Sequence, residues 1–360
     1  MKPFYINPDI TQAETLPSSF YRSEEIFNLL IEKVFAKTWQ YAGDTTQVSL
    51  TQQIHPFYFL EFALEEPMLL TNSDGQLSCI SNVCTHRGNI LCHNPTKSRQ
   101  ITCSYHGRRF NLQGDFQHMP QFKEALDFPR KSDNLTRFPF LQWGSWLFTS
   151  LTKDLDFQAI LDTMNHKVGF LPLEQFKEDK SRNKDYLVNT HWALYCDNYL
   201  EGFHIPFVHE SLNAELNYSQ YETVLYPNAS LQIGHSSSGD HVFDFPQDHE
   251  DYGKQISAYY FWIFPNMMFN FYPWGCSINI VKPIACNRTK VSFVTYVYDE
   301  GKLDTGAGAT LDKVEREDEF VVEGVFKGMG SRVYQAGRFS PQMESGVHHF
   351  HSLLAKYLNM

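Results

Sequence analysis

Apolar residues Ile26, Leu29, Leu30, Val34 and Phe35 recur at three- and four-residue spacing, which predicts a helix over residues 18–38. Ser18 or Ser19 would cap it early. Ser23 would cap a shorter version, with Glu24 and Glu25 in the first turn. From about residue 39 to 151 the pattern changes to short β runs, at 57–62, 68–71, 77–83 and 146–149. Asn72-Ser73-Asp74-Gly75 joins two of these runs and predicts a tight hairpin. Residues 152–185 are charged and weakly periodic, and read as a connection with one helix. A long helix is expected over 190–210, broken or ended near Pro206. Further β runs follow at 259–264, 269–272, 278–281 and 290–298, and helices at about 309–330 and 341–358 close the chain. There is no internal repeat. The order predicts two domains, the first all-β and the second mixed with antiparallel strands.

Composition narrows the class. The 360 residues are 42% apolar and 20% charged, the balance of a globular chain long enough for two cores. Thirty phenylalanines and nineteen tyrosines are a heavy aromatic load. Aromatic-rich cores and an aromatic-lined pocket both account for it, and the sequence does not separate them. A net charge of −11 argues against a nucleic-acid surface and is compatible with a cationic ligand. No stretch reaches the roughly 18 apolar residues needed to span a bilayer, so no membrane role is expected. Met1-Lys2-Pro3-Phe4 lacks the apolar core of a signal peptide, so a cytoplasmic location is expected. The seven cysteines do not suggest a disulfide framework.

Two of those cysteines have another explanation. Cys84-Thr85-His86-Arg87-Gly88 is followed, with sixteen residues between His86 and Cys103, by Cys103-Ser104-Tyr105-His106-Gly107. Each segment puts one thiol and one imidazole on a short turn, with glycine just beyond the histidine to let the backbone fold tightly. Two thiolates and two imidazoles can hold a structural zinc or a [2Fe–2S] cluster in which histidines replace cysteines on one iron. A zinc finger pairs like with like; here each arm mixes the two ligand types. The arrangement resembles the Rieske signature, with Cys84, His86, Cys103 and His106 as cluster ligands. Arg108 departs from it, since many relatives carry tryptophan there.

A second constellation lies in Asp197-Asn198-Tyr199-Leu200-Glu201-Gly202-Phe203-His204-Ile205-Pro206-Phe207-Val208-His209. In a helix Glu201 and His204 share a face, and Pro206 would turn His209 back toward the same point. Two imidazoles and one distant carboxylate make the facial triad of non-haem iron(II) oxygenases. The stretch 315–323 offers five carboxylates, and helical spacing turns part of that run inward.

Together the two motifs resemble the catalytic subunits of Rieske non-haem iron oxygenases, over nearly the whole chain. That resemblance implies an α+β fold. Residues 1–40 would be a helical segment packing on the catalytic domain, 41–151 an all-β Rieske [2Fe–2S] domain, and 152–360 a catalytic domain with helices on an antiparallel sheet. It implies His204, His209 and Asp318 as Fe(II) ligands, with Glu323 the runner-up for the carboxylate and the other acids a solvated face. Glu201 would bridge to a cluster histidine of a neighbouring subunit in a homotrimer, and Asn198 is a further catalytic candidate. Electrons would come from NAD(P)H through a separate flavin/iron–sulfur reductase or ferredoxin. The segments 196–209 and 337–341 and His348-His349-Phe350-His351 resemble the choline and glycine betaine monooxygenase branch. The three histidines themselves are expected to pack or hydrogen-bond at a domain or subunit contact.

The expected reaction is therefore O2-dependent hydroxylation of a C–H bond next to the nitrogen of a quaternary ammonium or methylated amine. Phe203, Phe264, Phe271 and Trp274 are the candidate pocket wall, since aromatic faces hold such cations. The alternative is an aromatic-ring hydroxylase or O-demethylase acting on an aromatic acid. A pure electron carrier, from a different class, would hold two irons per chain where an oxygenase holds three.

Overall fold

In the computed structural model, which describes residues 3–309 and 311–360, the hairpin at Asn72–Gly75 forms with Ser73 opposite Gln76. Asp74 and Gly75 both take positive φ, at 53° and 91°. That is the two-residue turn whose twist matches paired strands, and glycine takes it without strain. The hairpin belongs to a compact unit, Ala36–Asp156, built of three small antiparallel sheets. Ile54, Leu69, Ile80, Ile101, Phe110, Leu112 and Leu135 pack into its core, and Cys84 and Cys103 are buried among them.

The other unit joins the chain before residue 36 to Phe157–Met360. The helix expected over 18–38 is broken in two, α1 (Ser18–Arg22) and α2 (Glu24–Lys33), by Ser23 in extended conformation. Its Oγ accepts from Ile26 N, with Glu24 and Glu25 in the first turn, so the shorter version prevails. After α3 (Phe157–Val168), the unit is dominated by an eight-stranded antiparallel sheet. Six successive strands, from Glu222–Tyr226 through Arg288–Val297, pair each with the next in sequence.

Alternation gives this sheet two faces with different tasks. Tyr260, Asn270 and Tyr272 point to one side, where α4 (Trp192–Tyr199) and α7 (Leu311–Gly328) contribute to a shared cleft. Tyr259 points to the other, where its hydroxyl donates to buried Asp251 at 2.6 Å, beside Lys167 at 2.9 Å. Phe261, Phe269 and Phe271 are fully buried, each contributing roughly 1.5–3 kcal/mol. The closing helix α8 (Ser345–Asn359) anchors the N-terminal segment. His351 Nδ1 accepts from Leu16 N, and its Nε2 meets Asp197 Oδ1 at 2.9 Å and the Tyr21 hydroxyl at 3.1 Å. His348 Nε2 donates to Asn7 O at 2.7 Å.

Candidate metal centres

The two cysteine–histidine loops fold by one device. Gly88 N donates to Cys84 O and Gly107 N to Cys103 O, at 2.9 and 3.0 Å. Cys84 N donates to Asn89 O and Cys103 N to Arg108 O, both at 2.8 Å. Both glycines sit at positive φ, 69° and 72°, which closes each loop without a Cβ penalty. The Cys84 and Cys103 thiols then lie close enough to influence each other, and the His86 and His106 rings meet at 4.7 Å between centroids. Asn89 Nδ2 approaches Cys103 Sγ at 3.6 Å. Burial, His106, Arg87 and Arg108 hold His86 below its ordinary pKa, as the neutral imidazole that a metal needs.

Paired thiols beside paired imidazoles suit a two-iron cluster, with sulfur donors on one metal and nitrogen donors on the other. A single zinc would draw all four donors to one point. Among the described residues, the one group of three or more such donors within 4.8 Å of one another is a different set: His204, His209 and Asp318.

That set arises where the long helix expected over 190–210 is instead three short ones. α4 stops at Tyr199, and α5 (Ile205–Val208) and α6 (Glu210–Glu215) follow. Glu201 is the cause. Its Oε2 accepts from Phe203 N and from His204 N, the latter at 3.1 Å, so the chain caps a new turn rather than extending the old one. Pro206 stands in the first turn of α5, where proline is tolerated, and so begins a turn instead of ending one. Gly202 is required by closeness, since a Cβ there would meet the Tyr221 ring at 2.7 Å.

The two histidines converge. His204 Nδ1–H donates to Glu201 Oε1 at 2.6 Å and His209 Nδ1–H to Glu317 Oε2 at 2.8 Å. Both Nε2 atoms are thereby left facing each other at 3.1 Å. Asp318 Oδ1, on α7, lies 3.0 Å from His209 Nε2 and 3.6 Å from His204 Nε2, and Asn198 Nδ2 donates to it at 2.6 Å. Burial pushes His209 down, but Asp318 and Glu317 outweigh it and lift it above its ordinary pKa. A divalent cation at the convergence would take the place of that proton. Two nitrogens and one oxygen on one side, with outer carboxylates fixing the tautomers, fit a non-haem iron.

Several expectations are corrected here. Glu201 and His204 face each other across a turn, not along a helix. Glu323 is not near the triad; its Oε1 accepts from Asn189 N and Nδ2 instead. Two acids assigned to a solvated face turn inward: Glu317 holds His209, and buried Glu315 accepts from the Tyr195 hydroxyl at 2.6 Å. Burial holds the Glu315 carboxyl well above the usual range. Glu315 stands three residues before Asp318, a spacing that could have placed it on the inward face.

The triad borders a cleft of about 750 Å³, its open mouth included. None of the four candidate wall residues lines it. Phe271 alternates to the opposite face from Asn270 and Tyr272, and Phe264 packs against Phe350 and Tyr357. Trp274 stacks on Tyr272 at 5.1 Å and lines a neighbouring cleft, while Phe203 is 42% exposed. The wall is tyrosine: Tyr195, Tyr199, Tyr221, Tyr260 and Tyr272, with Phe293. Hydrogen bonds pin it, from Tyr199 OH to Asn270 Oδ1 at 2.7 Å and from Tyr221 OH to Gln232 Oε1 at 3.2 Å.

Comparison with known proteins assigns a family to each half of the chain. Residues 173–360 match the ring hydroxylating alpha subunit (catalytic domain), and residues 38–139 the Rieske [2Fe-2S] domain. Chloroplastic choline monooxygenase of Beta vulgaris is 27% identical over 366 residues, covering 98% of this chain and 79% of the relative. The carnitine monooxygenase oxygenase subunit of Escherichia coli (strain K12) is 26% identical, covering 98% and 96%. The solved structure of the quaternary ammonium Rieske monooxygenase CntA with an inhibitor superposes with a TM-score of 0.77 at 23% identity, covering 98% and 96%. Naphthalene 1,2-dioxygenase from Rhodococcus sp. superposes with a TM-score of 0.70 at 14% identity, covering 95% and 93%. With its Rieske domain and its catalytic domain, the chain belongs to the ring-hydroxylating alpha-subunit family: it is a Rieske non-haem iron oxygenase.

Proposed function

We propose that this oxygenase hydroxylates a C–H bond next to the nitrogen of a quaternary ammonium or methylated amine, of the choline, glycine betaine or carnitine kind. The observation that carries this is the cleft at the triad. Five tyrosines line it together with Glu201 and Asp318, and among the described residues no lysine or arginine does. Tyrosine faces attract cations by about 0.5–2 kcal/mol each. An aromatic carboxylate would find no lysine or arginine there to pair with. Two kinds of relative, named for choline and for carnitine, point to the same substrate class.

In this reading Cys84, His86, Cys103 and His106 hold the cluster, and His204, His209 and Asp318 hold the iron. When bound, these groups supply single electrons and the reductive activation of O2. The chain's own residues do the rest. Glu201 and Glu317 keep the imidazole protons on Nδ1, and Asn198 steadies Asp318 by its hydrogen bond. The pinned tyrosines present their faces to the cation and shed water from the C–H bond.

One solved relative is described by inter-subunit electron transfer. For this chain we infer a homotrimer in which Glu201 also accepts from a cluster histidine of the neighbouring subunit. A flavin/iron–sulfur reductase or ferredoxin would deliver the electrons. A cytoplasmic setting, which keeps thiols reduced, suits the two cluster cysteines.

The test is oxygen uptake and aldehyde release by the holoenzyme with a reductase, on choline, glycine betaine and carnitine. Turnover is expected on at least one. Turnover on an aromatic acid with none on the three cations would overturn the reading.

A further inference from the structure

Arg108 follows the second ligand loop, two residues after His106, and its side chain is not at a surface. It is 2% exposed. Its guanidinium lies among the rings of Phe116, Phe128 and Phe110, 5.0, 5.5 and 5.8 Å from their centroids. Nη2 donates to Asp133 twice, to Oδ1 at 2.5 Å and to the backbone carbonyl at 3.2 Å.

The same carbonyl of Asp133 accepts from Thr85 Oγ1 at 2.8 Å. Thr85 lies between Cys84 and His86, while Arg108 follows His106 by two residues and its carbonyl accepts from Cys103 N. One residue therefore pegs both ligand loops. Asp133 is itself held, since its Oδ2 accepts from Arg130 N at 2.6 Å. The guanidinium is also linked to His86 through a chain of rings. His86 meets Phe122 at 5.5 Å, Phe122 meets Phe128 at 4.8 Å, and Phe128 carries Arg108.

Such a pair is a poor way to gain stability. Desolvating two charges costs several kcal/mol per ion, and apolar residues of similar volume often serve as well. Arg108 Nε is moreover buried with no hydrogen-bond partner. What an apolar side chain cannot supply is a positive charge in a low-dielectric setting, where its field reaches further than in water. A cluster that gains an electron gains negative charge, and a nearby cation favours that form.

We propose that the Arg108–Asp133 ion pair is a positioning device for the cluster: it pegs both ligand loops, and its guanidinium raises the cluster's reduction potential. Asp133, as counter-charge, sets how much of that cation the cluster feels. The inference rests on Cys84, His86, Cys103 and His106 being the cluster ligands.

The experiment is a redox titration of the purified holoenzyme, followed by the electron paramagnetic resonance and visible circular dichroism of the cluster. Arg108→Met keeps much of the stem and removes the charge; it is expected to lower the potential. Asp133→Asn keeps an acceptor and removes the counter-charge; it is expected to raise it. Arg108→Lys is expected to fall between the wild type and Arg108→Met. Opposite signs from the two halves of one pair are what a purely structural role would not produce. Shifts of the same sign, or no shift in either variant, overturn the proposal. If Arg108→Met does not retain its cluster, Asp133→Asn alone decides, a rise supporting the proposal and a fall or no change overturning it. A wild-type protein with no [2Fe–2S] spectrum would instead refute the ligand assignment on which the inference rests.

Discussion

The two metal centres are built from different lengths of chain and sit in opposite electrical surroundings. The donors proposed for the cluster come from two loops whose cysteines are nineteen residues apart, each loop closed by the same pair of backbone hydrogen bonds. The donors proposed for the iron come from a broken helical segment and from α7, with His209 and Asp318 separated by 109 residues. Around the cluster loops the buried charged side chain is a cation, Arg108; around the triad stand the carboxylates Glu201 and Glu317. The difference follows the work each site does. One site accepts an electron and gains negative charge. The other holds a metal cation and, as proposed, a cationic substrate. Each surrounding favours what its site must bind.

The largest expected effect separates the two centres outright. Asp318→Ala removes the carboxylate donor, and turnover should fall by more than the roughly 10–100-fold that losing an outer hydrogen-bond partner costs. Metal analysis should then find two irons per chain in place of three, with the cluster's visible spectrum unchanged. Three irons retained in that variant would break the comparison, because the α7 carboxylate would not be a ligand.

Next in size is an effect on stability alone. Lys167 and Asp251 form the catalytic unit's own buried ion pair, on the face of the sheet away from the triad. Burial alone would raise the Asp251 carboxyl, but Lys254, Tyr259 and Lys167 outweigh it and hold it well below its ordinary range. A group with a depressed folded pKa stabilises fully above its unfolded pKa of about 4, and the contribution is lost as pH falls through the folded value. Asp251→Asn should therefore cost about 3–5 kcal/mol at pH 7, a drop of roughly 6–20 °C in Tm. The gap to the wild type should narrow below about pH 4. Cluster spectrum and iron content at 25 °C should not move. Thermal melts followed by far-ultraviolet circular dichroism at the two pH values check this, and a gap that stays constant with pH would show that the carboxylate charge is not what matters.

A smaller effect tests whether the iron centre depends on its anions. Glu317→Gln keeps the size of the side chain but weakens the hydrogen bond that fixes the His209 tautomer. Iron affinity should drop roughly 10–100-fold, read by competition with a chelator, while Asp318→Ala loses the metal altogether. Equal losses from the two variants would erase the distinction between a ligand and the group that orients it.

How much of this was legible in the sequence follows the same division. The two matching cysteine–histidine loops could be read from spacing because closure at Gly88 and Gly107 is a local matter. The separation of strands from helices, and the Asp74-Gly75 turn, were legible for the same reason. The helix over 190–210 was not. Its apolar pattern continues past Tyr199, yet the Glu201 carboxylate caps the amides of the next turn, and pattern alone does not show which side chain competes for them. The pocket wall was misplaced because aromatic residues fill both faces of the sheet. Phe271 and Tyr272 are adjacent, and only the register of the strands decides which one meets the cleft. The inward turn of Glu315 and Glu317 needed the helix to be seated against its neighbours.

The smallest effect bears on the substrate, and it asks whether the anionic, tyrosine-lined side of the comparison reads charge or only shape. Tyr260 lines the cleft from the sheet, and leucine there would keep apolar bulk while removing the π-face. If the ring holds a cation, Tyr260→Leu should raise KM for the preferred cationic substrate by roughly 2–30-fold, the equivalent of about 0.5–2 kcal/mol, with kcat little changed. A neutral isostere provides the control. For choline this is 3,3-dimethylbutanol, in which carbon replaces the charged nitrogen and the shape is kept. The wild type should bind it more weakly than choline, and the substitution should leave its binding nearly unaltered, because an uncharged tert-butyl group gains little from the ring's quadrupole. Steady-state oxygen uptake gives KM for choline, and inhibition by the isostere gives its affinity. Equal losses for both molecules would mean that Tyr260 supplies shape, and the case for a cation would then fall on the other four tyrosines. Loss confined to choline would place the charge reading in the aromatic wall, on the side of the molecule where carboxylates already surround the metal.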